Sequence, residues 1–145
     1  MRAVVQRVLE ASVTIDEKLY SSINKGYLIY IAFTQSDSES TVRKMCEKII
    51  NLRVFEDDTN KLNLNIGNVI GEILLVSQFT LYGDTKGNNR PSFTKSANRD
   101  LSIPLYEMMV YILKEKISLK TGVFGADMKV HSINDGPVTI IIEME

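Results

Sequence analysis

Residues 26–33 read GYLIYIAF, an almost unbroken apolar run with β-branched and aromatic members. A strand with one wet face alternates apolar and polar residues. This one does not, so it predicts a central strand buried on both faces. Such a strand needs a layer on either side, and the flanking sequence supplies candidates. Upstream, residues 2–8 alternate and are Val-rich, and 12–15 with 18–23 predict a hairpin turning at Asp16-Glu17. Downstream, Val42, Met45, Cys46, Ile49 and Ile50 recur at helical spacing, one apolar stripe. Asp37 or Ser38 is placed to cap that helix, with Glu39 in its first turn favouring the dipole.

Further out, NLRVF (51–55) predicts a helix exit into a strand, DDTN (57–60) a turn and LNLNI (62–66) a short edge segment. EILLVSQFTL (72–81) reads as a strong strand. A second helix is expected over roughly 99–118, with Leu105, Met108, Met109, Ile112, Leu113 and Ile117 on its apolar face. Pro104 is compatible only with its first turns. DMKVHSI (127–133) and VTIIIEM (138–144) read as strands flanking Asn134-Asp135-Gly136-Pro137. No linker, repeat or low-complexity stretch divides the chain. Its 145 residues suit one core. The expectation is a single α+β domain, residues 1–145, with a mixed, curled, barrel-like sheet and two main helices.

Composition narrows the chemistry. One His and one Cys cannot build a closed zinc site, and no clustered Asp motif announces magnesium, so neither metal nor cofactor is expected. A Ser-His-Asp triad would need His131, which reads as one residue of an edge or half-buried strand. Cys46 lies inside the helical stripe and reads as core; a single cysteine suits a reducing, cytoplasmic setting. No stretch approaches membrane-spanning length. Net charge is −1, which argues against broad nucleic-acid binding, and no DNA partner is expected. The average conceals a segment, 85–99, carrying Lys86, Arg90, Lys95 and Arg99 and no Asp or Glu. It could hold a few phosphates at a nucleic-acid end, or be a solvated loop.

Three stretches resist a purely structural account. Ser77-Gln78-Phe79-Thr80 ends an apolar strand with hydroxyl, amide and hydroxyl groups that each need a partner if buried; a strand end entering solvent is the alternative. Asp135-Gly136 between two strands signals a tight hairpin, but Pro137 removes a ladder donor; a rigid trans turn is favoured on base rate although Gly-Pro accommodates cis easily. Arg7 stands mid-strand on the face of Ala3 and Val5, where an exposed strand face is the simplest explanation.

Together these stretches resemble the D-aminoacyl-tRNA deacylases of bacterial and eukaryotic type. The resemblance runs end to end: MRAVVQRV, KIINLRVF, LLVSQFTLYGDTKGNNRPSF, GVFGADM and NDGPVT. It implies hydrolysis of the ester between a D-amino acid and the terminal ribose of tRNA by a cytoplasmic homodimer, with sites at the subunit interface. By the same resemblance Ser77, Gln78, Phe79 and Thr80 line the pocket. Gly136-Pro137 corresponds to a Gly-cisPro inserted into the partner's site, Arg7 orients that dipeptide, and Phe124 and Met128 lie near the terminal adenine.

A rigid wall that admits hydrogen but not carbon would exclude L-aminoacyl esters without reading any side chain. Glycyl esters should then enter too. The vicinal ribose hydroxyl would assist catalysis, with the backbone N–H groups of Phe79 and Thr80 as oxyanion donors. The Thr80 hydroxyl as nucleophile is the competing mechanism. Rival readings of the whole chain are a non-catalytic nucleic-acid-binding module on the same scaffold, and a paralogous deacylase acting on L- or achiral esters.

Overall fold

The computed structural model describes residues 1–145. The predicted central strand is β3 (Gly26–Ala32). It has antiparallel β1 (Arg2–Ile15) on one side and parallel β6 (Glu72–Ser77) on the other. Its alternate side chains enter two cores. Tyr27, Ile29 and Ile31 pack with the helices, while Leu28 joins Val8, Val13, Leu74 and Val76 in a smaller cluster. Burial on both faces is why the run lacks alternation.

β1 is longer than expected, because 2–8 and 12–15 form one 14-residue strand. Its first half pairs with β3 and its second with β2 (Lys18–Ile23), across the predicted Asp16-Glu17 turn. Both turn residues have positive φ, 50° and 63°, as a two-residue turn matched to strand twist requires. The sheet runs β2-β1-β3-β6-β7, with β7 (Ser118–Thr121) parallel to β6. The Ser21 hydroxyl donates to the Thr121 carbonyl at 2.8 Å, drawing the two ends of this path together into a nearly closed barrel.

Helix α1 (Glu39–Asn51) buries Val42, Met45, Cys46 and Ile49 as the stripe predicts. Burial pushes the Cys46 thiol up to about 12, which makes it inert. Ser38 is the N-cap; Asp37 instead accepts from the Met1 amino group at 2.6 Å and from the Thr34 N–H. A short hairpin, β4 (Phe55–Glu56) with β5 (Leu62–Leu64), follows where a strand and an edge segment were expected.

Helix α2 (Arg99–Lys114) is shorter than its pattern suggests. The N–H groups of Lys116 and Ile117 both bond the Leu113 carbonyl, closing the helix before β7, a strand the sequence reading missed. Pro104 is the sixth helical residue and exposed, so the bond it forfeits lies in a wet early turn.

Two expectations fail near the polar stretches. The strand predicted over 72–81 stops at Ser77, and Phe79–Tyr82 wind into a 3-10 turn. The two strands predicted around NDGP are one, β8 (Lys129–Glu143), antiparallel to β1 along its whole length. Gln6 pairs with Thr139 and Val8 with Asn134, so residues 135–138 bulge opposite Arg7 alone.

Candidate functional site

Strands β3, β6 and β7 are parallel, and their carboxyl ends open on one side of the sheet. Ligand clefts favour that edge in α/β sheets, because the chain leaves each strand there in a different direction. A cavity of about 570 Å³ occupies it. Ala32 and Phe33 contribute from the end of β3, Ser77, Gln78 and Phe79 from the end of β6, and Phe124 and Met128 from the segment after β7. Arg99 and Ser102 add the start of α2.

The 3-10 turn is anchored on both sides. Gln78 N–H bonds the Ile31 carbonyl at 2.8 Å, ending the ladder. The Ser96 hydroxyl donates to Phe79 O at 2.9 Å, and Arg2 Nη1 to Leu81 O at 2.7 Å. Arg2 also stacks 4.9 Å from the Tyr82 ring and pairs with Glu143. With its carbonyls held, the first two N–H groups of the turn, those of Phe79 and Thr80, have no acceptor within it. The Phe79 ring is more than half exposed and meets Phe93 edge-on at 5.0 Å.

Titratable groups at the cavity are few. Burial pushes the Tyr30 phenol up, so it remains a neutral donor. Asp127 is exposed and pairs with Lys129 at 3.1 Å. His131 lies on β8 beside Glu10 at 3.4 Å, outside the cavity, and Cys46 is in the core. No cluster of three or more His, Cys, Asp or Glu side chains is shaped to hold a metal.

Of the residues singled out in the sequence, Ser77, Gln78, Phe79, Phe124, Met128 and Arg99 meet at this cavity. Thr80 sits next to it, exposed in the turn. Lys86 and Arg90 are exposed in the loop, while Lys95 is paired with Asp84 at 3.1 Å. That pairing, after the Lys86 N–H, holds the Asp84 carboxyl below its usual range. Tyr30, Ser96 and Asn98 were not singled out. Asn98 caps α2 by accepting from Leu101 N–H at 3.0 Å, a cap legible before Arg99-Asp100; the Ser96 contact with Phe79 has no local signal.

Arg7, Gly136 and Pro137 form a second group. Arg7 is 5% exposed, a correction to the exposed strand face expected for it. Its guanidinium donates to Val54 O at 2.8 Å and Asp135 O at 3.2 Å, and pairs with the Asp135 carboxylate at 3.4 Å. The Asn134 amide donates to Arg7 O and Val138 O, closing the bulge at its base. The Gly136–Pro137 bond is cis, not the trans turn that base rate favoured. Gly136 has φ +126°, and a Cβ there would stand 3.1 Å from Arg7 Nη2, so only glycine fits.

These two groups are apart. Arg7 pairs with Tyr27 and Ser77 with Ile31, opposite ends of β3. At about 3.3 Å per residue the separation along the strand is about 13 Å.

Comparison with known proteins places the chain. A family model described as D-Tyr-tRNA(Tyr) deacylase matches residues 4–143. A D-aminoacyl-tRNA deacylase of Flavobacterium psychrophilum is 50% identical over 99% of this chain and 97% of its own. One from Petrotoga mobilis is 46% identical over 100% and 98%. Among solved structures, a c-Myc DNA unwinding element binding protein superposes with a TM-score of 0.93 at 38% identity, covering 99% and 98% of the two chains. A probable eukaryotic D-amino acid tRNA deacylase, 17% identical with a TM-score of 0.84, shares the fold.

Proposed function

The chain belongs to the D-aminoacyl-tRNA deacylase family and is a hydrolase of the aminoacyl ester, and from that premise we propose that it is a chiral proofreader working as a homodimer, in which Gly136-Pro137 of one subunit completes the cavity of the other. The observation that carries the reading is the separation within one chain. The Gly136-Pro137 bulge is built with care by Arg7 and Asn134, yet it stands at the far end of β3 from the cavity. A second copy related by a two-fold axis supplies what one chain cannot.

In that arrangement the ester carbonyl lies over the 3-10 turn, and the Phe79 and Thr80 N–H groups receive the developing oxyanion. Loss of one such donor typically costs about 2.7–4 kcal/mol of transition-state stabilisation. Ser77, Gln78 and Phe79 position the aminoacyl group, and Phe124 with Met128 faces the terminal adenosine. The partner's dipeptide occupies the space an L side chain would need, so discrimination is by clash and glycyl esters pass. Gly136 has no side chain to swing aside, and the Pro137 ring limits backbone motion. No His or Cys lines the cavity, and its one carboxylate, Asp127, is paired with Lys129, so the vicinal ribose hydroxyl activates the water or the carbonyl. Exposed Lys86 and Arg90, with Arg99 at the cavity, follow the acceptor-end phosphates. The enzyme works where tRNA is charged, in the cytoplasm.

The test is hydrolysis of D-tyrosyl-, L-tyrosyl- and glycyl-tRNA by the wild type and Pro137→Ala. The wild type is expected to cleave the D-tyrosyl and glycyl esters and spare the L-ester, and Pro137→Ala to lose that discrimination. Cleavage of the L-ester by wild type defeats the exclusion model. A substrate with a 2'-deoxy terminal ribose should be inert, whereas Thr80→Val should turn over near-normally; the reverse pattern makes Thr80 the nucleophile.

A further inference from the structure

Leu75 is two residues from the cavity strand's end, and its carbonyl accepts two hydrogen bonds from different parts of the chain. One comes from the Tyr106 hydroxyl in α2, buried, at 3.1 Å. The other comes from the Gly122 N–H at 3.2 Å, the first residue past β7. The segment that begins at Gly122 carries Phe124 and Met128 to the cavity. Tyr106 touches it a second time, its ring edge-on to Phe124 at 5.5 Å, while the Arg99 guanidinium lies 5.7 Å from the same ring. Gly122 is the position over which the Met128 sulfur packs, so tightly that a Cβ there would collide with it.

We propose that Tyr106 and Gly122 are positioning residues that clamp the 122–128 segment to the Leu75 carbonyl and thereby set Phe124 and Met128 for the terminal adenine. Neither lines the cavity. Their effect passes through a ring and a thioether, the side-chain types that hold a flat base by stacking and by soft contact. Burial pushes the Tyr106 phenol up, so it acts as a fixed donor and takes no part in proton transfer. α2 thus adjusts the base-binding wall from behind. The inference rests on the reading of Phe124 and Met128 as that wall.

The experiment compares D-tyrosyl-tRNA ending in adenosine with the same tRNA ending in cytidine, for wild type, Tyr106→Phe and Gly122→Ala. Tyr106→Phe keeps the ring and removes the donor; Gly122→Ala keeps the donor and displaces Met128, so one variant remains informative if the other unfolds. Wild type should prefer the adenosine end. Each variant should raise KM for that substrate roughly tenfold, equivalent to about 1.4 kcal/mol, with kcat within about twofold. The preference over cytidine should shrink in parallel, a readout that loss of stability would not move. Unchanged KM and preference in both variants overturns the inference and leaves the deacylase reading standing. So does an equal loss on both substrates. A wild type that hydrolyses both ends alike removes the adenine wall beneath it. A wild type that hydrolyses neither overturns the proposed function itself.

Discussion

Arg7 shows how far one residue's surroundings can depart from its local pattern. An arginine alternating with Ala3 and Val5 reads as a strand face in water, yet its guanidinium is enclosed by Val54, Asp135 and the Gly136 backbone. A buried charge is tolerable when it is paired and hydrogen-bonded, and through Nε and Nη1 this fork reaches two carbonyls and a carboxylate. The contact with Glu56, at 3.8 Å and half exposed, adds little. Lysine would keep the charge but could not span Val54 O and Asp135 O together. Arg7→Lys is expected to lower stability by about 2 kcal/mol, measured by urea denaturation, and, by loosening the Gly136-Pro137 arm, to admit L-tyrosyl-tRNA to hydrolysis. Full discrimination in a destabilised variant would reduce Arg7 to a structural role. Its type and position were legible in the sequence; its partners, 47 and 128 residues away, were not.

At the scale of elements, the 3-10 turn, the β4-β5 hairpin and the basic loop each answer to contacts a local window misses. SQFTL has the apolar alternation of a strand, but Ser96 and Arg2 seize the carbonyls of Phe79 and Leu81 and wind the segment instead. The hairpin turn is organised by Asp57, whose carboxylate accepts from the Thr59 hydroxyl, the Lys61 and Thr59 N–H groups and the Asn63 amide. These bonds lower its pKa from 3.8 to about 2. A depressed carboxylate contributes stability above its unfolded value and loses it as pH falls through the folded one. The stability difference between wild type and Asp57→Ala should therefore be full above pH 3.8 and vanish towards pH 2, as followed by urea denaturation at stepped pH. A constant difference would mean that the turn is held by something else.

The loop charges are equally unequal. Lys95 is engaged with Asp84, whereas Lys86 and Arg90 make no ion pair. Neutralising Lys86 or Arg90 to Gln should flatten the salt dependence of tRNA binding by about 0.7–0.9 per contact, and Lys95→Gln by less. Equal slopes for all variants and wild type would return the loop to solvent.

At the scale of the whole molecule, the test is whether two groups about 13 Å apart along β3 serve one reaction. If the site is shared, lesions in the two groups should complement. Gln78→Ala damages the cavity, and replacement of Gly136-Pro137 by Ala-Ala damages the arm and admits the L-ester. Mixed and re-equilibrated one to one, half of the arm-damaged subunits pair with a subunit bearing an intact arm, so their L-tyrosyl-tRNA cleavage per subunit should fall by about half. No fall, together with a monomer by sedimentation, would leave the bulge without a cavity to enter. No helix is long and apolar enough to cross a membrane.

By itself the sequence determined the apolar framework and the family. A doubly buried strand, a helical stripe and a two-residue turn each follow from periodicity and backbone chemistry within a short window. The SQFT and GPVT stretches carried the resemblance that the comparisons bear out. Tertiary structure alone decided the rest. It joined two predicted strands into β8 because both halves pair with β1, closed α2 three residues before Ile117, wound Phe79–Tyr82, and buried Arg7. For β8, the 3-10 turn and Arg7 the determining partner lies far along the chain, and for the end of α2 the residues that follow are claimed by the ladder with β6; a hydrogen bond or ladder made on folding outweighs the local preference.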